Sequence, residues 1–361
     1  MAQRETVMLV GTRKGLWLGR STDRRTWTWE EPLFPMEEVY SCMVDTRGER
    51  PRLLVGSGSP HWGPHVYRSD DLGRTWQETP NILTLPEEAG AGVRQVWQLW
   101  PGARSEPEVV YAGTQPSALF RSEDRGETFE LVRPLWDHPH RPEWGAGFGG
   151  QAIHTILPHP TDPARMLVAM STGGVYRTDD ARATWQASNS GIVADFMPEG
   201  QQYPEFGQCV HKVAFHPDHP DRLFAQNHGG VYRSDDAGHS WTSIGDTLSS
   251  DFGFPVVVHG RSPETVFVFP NGAGDSRFPP EGRARVWRSR DAGGTWEALG
   301  QGLPDRFYSA VVRDAMSTDE EGGVYLGTRV GNVFTSTDDG DSWHEVISNL
   351  PDVLVVRAAV I

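Results

Sequence analysis

The stretch Ser69-Asp-Asp-Leu-Gly-Arg-Thr-Trp76 decides the fold of this chain. Its Ser, Asp and Thr side chains can hydrogen-bond the backbone of their own short turn. Gly73 tolerates a positive φ angle that would strain other residues. Trp76 then begins a new strand, where an indole ring can fill the space between two neighbouring sheets. We call this pattern the repeated turn, and it predicts a hairpin wherever it occurs.

The repeated turn occurs seven times along the chain. Complete copies start at Ser69, Ser122, Ser234, Ser289 and Ser336. Two copies are imperfect: the copy from Thr178 has Arg182 in place of glycine, and the copy from Ser21 is one residue short. The central aspartates, 47 to 56 residues apart, are Asp23, Asp71, Asp124, Asp180, Asp236, Asp291 and Asp338. Such a period is typical of a repeat architecture built from one small unit.

Apolar runs around each turn predict four strands per repeat, with the turn between the third and the fourth. The first repeat lacks its first strand, since residues 6–11 already serve as its second. Residues 353–361 form an apolar run with no turn after it, so we expect them to supply the missing strand and remove an exposed sheet edge. The sequence therefore predicts an all-β protein, with residues 1–361 forming one seven-bladed β-propeller of four-stranded antiparallel blades, closed by the C-terminal strand.

Composition excludes several kinds of partner. The 361 residues carry a formal net charge of −15, which disfavours nucleic acid and an anionic membrane surface as partners. The N-terminus lacks the apolar run of a secretory signal, so we expect a cytoplasmic protein. The two cysteines, Cys42 and Cys209, fall in inner strands nearly across the predicted ring, too far apart for a disulfide. We expect both to be free thiols.

Unusual residues collect in the predicted loops on the face opposite the repeated turns. Loops on a rigid scaffold commonly carry binding residues. Tryptophan offers an apolar surface to a sugar ring, and arginine can bind a carboxylate through two hydrogen bonds. We therefore expect a small-molecule ligand, a carbohydrate or a carboxylate. The predicted substrate-binding residues are Trp62, His65, Trp144, Asn227, His228, Arg277 and Arg313.

Two histidines interrupt predicted inner strands at the same place in neighbouring blades. His154 and His211 lie in strands that should be apolar, so we predict that they transfer protons or orient a ligand. Each also fits a core histidine bonded to a backbone carbonyl. Glu281, near an arginine, is the third predicted catalytic residue, and a plain surface ion pair is its alternative.

The sequence requires no cofactor. It has no phosphate-binding loop and no dinucleotide fingerprint. A divalent metal is an open option because the chain has enough histidines, although none shows the tight spacing of a known metal motif. The histidines concerned are His61, His65, His138, His140, His154, His211 and His228.

The repeated turn resembles the Asp-box (BNR) repeat of sialidases, of related glycoside hydrolases and of several propellers without enzymatic activity. More particularly, the chain resembles bacterial cytosolic proteins often described as glycosyl hydrolases or exo-sialidases. The segments that carry this similarity are Val10-Gly-Thr-Arg-Lys-Gly15, Gly207-Gln-Cys-Val-His211, Gln226-Asn-His-Gly-Gly-Val-Tyr-Arg233 and Asp251-Phe-Gly-Phe-Pro255.

Sialidase chemistry itself is disfavoured. Sialidases carry an Arg-x-Pro motif near the start, whereas Arg13 is followed by Lys14 and Gly15. Tyr308 has no identifiable glutamate partner. We therefore predict an enzyme of the hydrolase or lyase type, acting on a glycoside or another small carboxylated molecule. The alternative is a non-catalytic platform that binds a ligand or a protein; a deep pocket favours the enzyme and a flat face favours the platform.

Overall fold

The computed structural model describes residues 4–80, 83–147, 150–274 and 276–361. Its strands form seven separate four-stranded antiparallel sheets, which follow one another along the chain as the blades of a propeller. The predicted seven-bladed fold is confirmed.

The strands run outward from the centre in each blade. The chain enters blade one at the position second from the centre, so its first strands are β1 (Thr6–Thr12), β2 (Gly15–Ser21) and β3 (Thr28–Trp29). Blade two contains β4 (Glu38–Asp45), β5 (Arg52–Ser59), β6 (Gly63–Ser69) and β7 (Gln77–Glu78). Blade three contains β8 (Gln95–Pro101), β9 (Val110–Gln115), β10 (Ala118–Ser122) and β11 (Glu130–Leu131). Blade four contains β12 (Ile153–Pro158), β13 (Met166–Met170), β14 (Gly174–Thr178) and β15 (Gln186–Ala187).

The remaining blades repeat the same order. Blade five contains β16 (Val210–His216), β17 (His219–Asn227), β18 (Gly230–Ser234) and β19 (Thr242–Ser243). Blade six contains β20 (Gly253–His259), β21 (Ser262–Pro270), β22 (Val286–Ser289) and β23 (Glu297–Leu299). Blade seven contains β24 (Met316–Thr318), β25 (Val324–Gly327), β26 (Val333–Ser336) and β27 (His344–Ile347). The last strand of the chain is β28 (Val353–Val360).

Strand β28 closes the ring as predicted. It pairs antiparallel with β1, and Val10 lies opposite Val356 in the register. The sheet order of blade one is therefore β28, β1, β2, β3. The closing strand gives β1 a partner on each side, so that blade one has the same four strands as the other blades.

Helical segments occur only in connections between strands in the described part of the chain. The 3-10 helix Glu87–Ala89 lies between β7 and β8. The α-helix α1 (Arg133–Trp136) and the 3-10 helix Arg141–Glu143 lie between β11 and β12, and the 3-10 helix Pro280–Gly282 lies between β21 and β22. None of these described helices has the length and hydrophobicity needed to cross a membrane.

The repeated turns are held by their own side chains. In blade two, Oδ1 of Asp71 accepts a hydrogen bond from the backbone N–H of Thr75 at 2.9 Å, and Ser69 Oγ accepts one from Gly73 N–H at 2.8 Å. Gly73 has a φ angle of +93°. In the imperfect copy of blade four Arg182 adopts the same left-handed region, with φ +74°, so the turn forms without its glycine.

The hydrophobic core lies between neighbouring blades. The aromatic residue that ends a repeated turn is buried in four blades, at Phe129, Trp185, Trp241 and Trp343. Because these rings fill the spaces between sheets, the inner strands are held around a central axis. The connections into the inner strands, and the loops between second and third strands, emerge together at the end of this axis opposite the repeated turns.

Candidate functional site

A cavity of about 620 Å³ opens on the axis at the face opposite the repeated turns. Residues at the start of the inner strands form its wall, together with the loops between second and third strands. Because the strands of every blade alternate in direction, all of these segments come to the same end of the propeller. A cavity of this size can enclose a small ligand.

The wall combines aromatic rings with positive charge. Its aromatic residues are Tyr40, Trp97, Phe196, Phe252 and Phe254. Its guanidinium groups belong to Arg13, Arg277, Arg313 and Arg329. Asp314 is the single carboxylate among the described residues of the wall. The cavity therefore favours a ligand that carries negative charge and an apolar or ring-shaped surface.

Arg313 is the cation most deeply placed in this wall. Its guanidinium lies 5.4 Å from the centre of the Trp97 ring and 5.9 Å from that of Phe254. Nη2 donates a hydrogen bond to Ser171 Oγ at 3.2 Å, and the buried Nε has no hydrogen-bond partner. No carboxylate among the described residues lies within ion-pairing distance of Arg313. Burial lowers the pKa of Arg313, because loss of solvation disfavours the charged form.

Arg13 and Arg329 occupy matching loops in blades one and seven. One carboxylate oxygen of Asp352, just before β28, accepts hydrogen bonds from Arg13 Nε at 3.3 Å and from Arg329 Nη2 at 2.9 Å. Both arginines stand in the same short sequence, Gly11-Thr-Arg13 and Gly327-Thr-Arg329. Sequence reasoning missed both as site residues, although this repetition at equivalent positions was the signal that could have found them.

Cys209, His211 and His228 meet on the blade-five side of the wall. Their metal-binding atoms all lie within 4.8 Å of one another. His211 Nδ1 lies 2.5 Å from the carbonyl oxygen of Gly253, and its Nε2 lies 3.6 Å from Cys209 Sγ. Since a carbonyl only accepts, Nδ1 carries the hydrogen and Nε2 of the neutral ring carries a lone pair that faces the thiol.

Burial sets the charge state of this group. Burial lowers the pKa of His211 well below its usual range, and the positive charge of Arg313 acts in the same direction. Burial also raises the pKa of the Cys209 thiol, against the opposite effect of Arg313. The metal-free pair is therefore a neutral imidazole beside a neutral thiol at pH 7.

His154 lies outside the cavity wall. It is fully buried, and its Nε2 donates a hydrogen bond to the backbone oxygen of Val210 at 2.9 Å. Nδ1 lies 3.1 Å from Thr155 Oγ1. The ring thus joins the inner strand of blade four to that of blade five, which is the core role that the sequence left open as its alternative. Its predicted catalytic role stays a prediction.

Four predicted residues line the cavity: His211, His228, Arg277 and Arg313. Two others are buried elsewhere. Trp144 packs between blades and its Nε1 donates to the hydroxyl of Tyr176 at 2.8 Å, so its ring is not free to receive a sugar. Asn227 ends β17 rather than lying in the loop, is fully buried, and donates to the backbone oxygen of Val193.

The last three predicted residues are absent from the described cavity wall. Trp62 is 73% exposed at the tip of the loop between β5 and β6. His65 lies within β6, where its Nδ1 is 2.6 Å from the carboxylate of Glu78. Glu281 is exposed in the 3-10 helix Pro280–Gly282. The structure does not bring these side chains into the described wall, and their predicted roles stay predictions.

A buried polar network forms the floor of the cavity. Lys212 Nζ lies 2.7 Å from Asp314 Oδ1 and 3.0 Å from Gln98 Oε1. Arg357 also pairs with Asp314. These four residues come from blades one, three, five and seven, so the network crosses the axis. Lys212 and Arg357 also line a second cavity of about 340 Å³, which lies toward the repeated turns.

Comparison with known proteins places xyloglucanases among the relatives of this chain. No family model matches it. A xyloglucanase from a Paenibacillus species is 25% identical over an alignment of 289 positions, and the match covers 72% of this chain. The chain spans only 26% of that enzyme's length. A xyloglucanase from Acetivibrio thermocellus is 29% identical over an alignment of 149 positions, and the match covers 38% of this chain and 17% of the enzyme.

Solved propellers share the fold at low sequence identity. The GH74 xyloglucanase from Xanthomonas campestris matches with a TM-score of 0.66 and 17% identity, covering 97% of this chain and 53% of that one. YCF48 bound to D1 peptide matches with a TM-score of 0.55 and 14% identity, covering 86% of this chain and 82% of that one. At such identities the likeness establishes the architecture alone.

Proposed function

We propose that this protein is a carbohydrate-processing enzyme that binds a small carboxylated saccharide in the cavity opposite the repeated turns. The observation that carries the proposal is Arg313, a desolvated guanidinium on the wall with no carboxylate partner among the described residues. A buried charge without a partner is costly, and an anionic ligand would compensate it. The xyloglucanase relatives support a carbohydrate substrate.

The cavity favours a small molecule over a protein partner. The cavity has a volume of about 620 Å³, so this face of the protein is recessed and not flat. The ring centres of Trp97 and Phe254 lie 5.4 Å and 5.9 Å from the Arg313 guanidinium, so a ligand carboxylate bound there places the rest of its ring near aromatic surface. This arrangement supports the enzyme over the non-catalytic platform.

Two reaction types remain within the proposal. Hydrolysis of a glycoside commonly uses two carboxyl groups on opposite sides of the bond. The described wall offers Asp314 alone, and this carboxylate is already paired with Lys212 and Arg357.

Elimination needs a base and an anion-binding group. His211 Nε2 would take the proton from the carbon beside the carboxylate. A carbon–carbon double bond would form as the bond to the leaving oxygen breaks, and that oxygen would then take up a proton. Arg313 would stabilise the charge developing on the carboxylate. The described wall therefore favours elimination.

The proposal also includes two expectations from the sequence. The seven side-chain-bonded turns support membership among Asp-box propellers. Cys42 and Cys209 are unbridged, which supports a cytoplasmic location.

A calorimetric binding panel tests the proposal. Disaccharides that contain a uronic acid should bind, neutral xyloglucan oligosaccharides should bind at least about tenfold more weakly, and Arg313→Gln should remove this preference. Arg290→Gln, an exposed arginine on the opposite face, is the matched control. Mass spectrometry of the products separates hydrolysis, which adds water, from elimination, which does not. Equal binding of acidic and neutral saccharides by the parent, or an unchanged preference in Arg313→Gln, would overturn the proposal.

A further inference from the structure

Three side chains that commonly bind metals converge on one side of the cavity. Cys209 and His211 flank Val210 at the start of β16, where a β-bulge lies between Val210 and Lys212. His211 stands in this bulge, and its Nε2 faces the Sγ atom of Cys209. Asn227 lies opposite Val210 in the register, and the backbone N–H of the next residue, His228, donates to the carbonyl oxygen of Cys209 at 2.9 Å. The pairing of two neighbouring strands therefore fixes all three residues together.

We propose that Cys209, His211 and His228 bind a divalent transition-metal ion, with zinc as the best-suited metal. The ligand atoms lie within 4.8 Å of one another. Tetrahedral zinc with bonds of about 2.3 Å to sulfur and about 2.0–2.1 Å to nitrogen separates two such ligands by about 3.6 Å. The observed distance between Cys209 Sγ and His211 Nε2 is 3.6 Å.

The surroundings of His211 also suit a metal ligand. Histidines that bind metals usually donate their other ring N–H to a carbonyl or carboxylate, which fixes the tautomer and the ring. His211 donates Nδ1–H to the backbone oxygen of Gly253 at 2.5 Å, and its ring stacks against Phe254 with centres 5.0 Å apart. The lone pair on Nε2 is thereby held toward Cys209 before any ion arrives.

The ligand set indicates both the metal and the kind of site. One thiolate and two imidazoles suit zinc, which is a borderline-soft ion. Three protein ligands on a cavity wall leave the fourth position open toward the cavity, as in catalytic rather than structural zinc sites. The site goes beyond the proposed binding of a carboxylate at Arg313 and does not depend on it. A bound ion would occupy the lone pair on His211 Nε2, so the elimination step with His211 as base belongs to the metal-free protein.

Charge makes Cys209 the decisive ligand. Arg313 and Arg277 bring positive charge toward this part of the wall, which opposes a divalent cation. Loss of the thiol proton on metal binding supplies the compensating negative charge. A serine at position 209 would remove that compensation while keeping nearly the same shape.

The test is a metal titration of the chelator-treated full-length protein under reducing conditions. Co²⁺ should bind at one equivalent and give the ultraviolet sulfur-to-metal band and the strong visible bands of a tetrahedral site, and Zn²⁺ should displace it. Cys209→Ser and His228→Asn should each weaken Zn²⁺ binding at least about 100-fold, more than the loss of a residue that merely supports a ligand.

Matched variants make the outcome decisive. Cys42→Ser changes the other cysteine, and His219→Asn changes an exposed histidine of the same blade; both should bind Zn²⁺ like the parent. Arg313→Gln should also keep the metal, so that failure of the carboxylate proposal is distinguishable from failure of this one. Near-ultraviolet circular dichroism verifies the fold of each variant. Absence of stoichiometric Co²⁺ binding by the folded parent, or unchanged Zn²⁺ affinity in folded Cys209→Ser, would overturn the proposal.

Discussion

The ammonium group of Lys212 lies 2.7 Å from Oδ1 of Asp314, and the two side chains are only 10% and 6% exposed. They belong to blades five and seven, which are not neighbours in the ring. This ion pair therefore spans the axis and separates the ligand cavity from the second cavity on the other side. Burial alone would raise the pKa of Asp314, but the charges of Lys212 and Arg357 outweigh that effect and hold it below its usual range.

Lys212→Met should destabilise the protein strongly. The change leaves Asp314 buried with Arg357 as its one remaining charged partner among the described residues. Removing one member of a buried ion pair costs about 3–5 kcal/mol, and we expect the lower end because Arg357 remains. The free energy of unfolding from urea titration measures the loss. Lys14→Met, at an exposed loop position, is the control; a loss in Lys212→Met no larger than in this control would contradict the prediction.

Two buried histidines should make the protein less stable in mild acid. Burial lowers the folded-state pKa of both His154 and His211 well below the ordinary value. Below about pH 6.5 the unfolded chain therefore takes up protons at these positions while the folded protein does not. The free energy of unfolding should fall as the pH drops from there toward the folded pKa, with a slope for each histidine that approaches about 1.4 kcal/mol per pH unit.

His154→Gln isolates one of these two contributions. We expect the slope of unfolding free energy against pH, measured between about pH 6.5 and 5.5, to decrease by about 1 kcal/mol per unit relative to the parent, because the unfolded histidine is only partly protonated across this range. His219→Gln, at an exposed position, controls for the substitution itself. Parallel pH profiles for His154→Gln and the parent would show that His154 is not a buried neutral group.

Removing residues 353–361 should unfold or greatly weaken the propeller. The deletion takes away β28, the inner strand of blade one, and exposes the edge of β1. It also removes buried Val353, Val355 and Val356 from the core. Each large apolar side chain lost from a core costs about 2–5 kcal/mol, so we expect thermal melting to fall by well over ten degrees or to lose its cooperativity. Melting within a degree or two of the parent would mean that β28 does not close the ring.

The two cysteines should be free and should differ in reactivity. The structure leaves both unbridged, with Cys42 buried and Cys209 half-buried at the cavity wall. A thiol reagent should titrate two groups in the denatured, unreduced monomer. In the folded protein Cys209 should react first, because Cys42 is only 1% exposed and a buried thiol is inert. Cys209→Ser should abolish the faster reaction, and fewer than two thiols after denaturation would contradict the prediction.

The candidate site was only partly predictable, because a side chain's partner often comes from another blade. His154 and His211 look equivalent in the sequence, yet His154 bonds to Val210 in the next blade while His211 reaches the cavity. Trp144 looked like a surface ring and is instead buried against Tyr176. Arg13 and Arg329 were missed because their shared role depends on Asp352, which lies far from Arg13 along the chain.

The sequence by itself determined the seven blades, their four strands and the closing role of β28. Each repeated turn is held by side chains only a few residues apart, as Asp71 and Thr75 show, so a local pattern is enough to specify it. Only the tertiary structure decided which side chains share the cavity. Arg313, Trp97 and Cys209 come from three different blades, and their approach depends on how the blades pack around the axis, a relationship that no local spacing in the chain encodes.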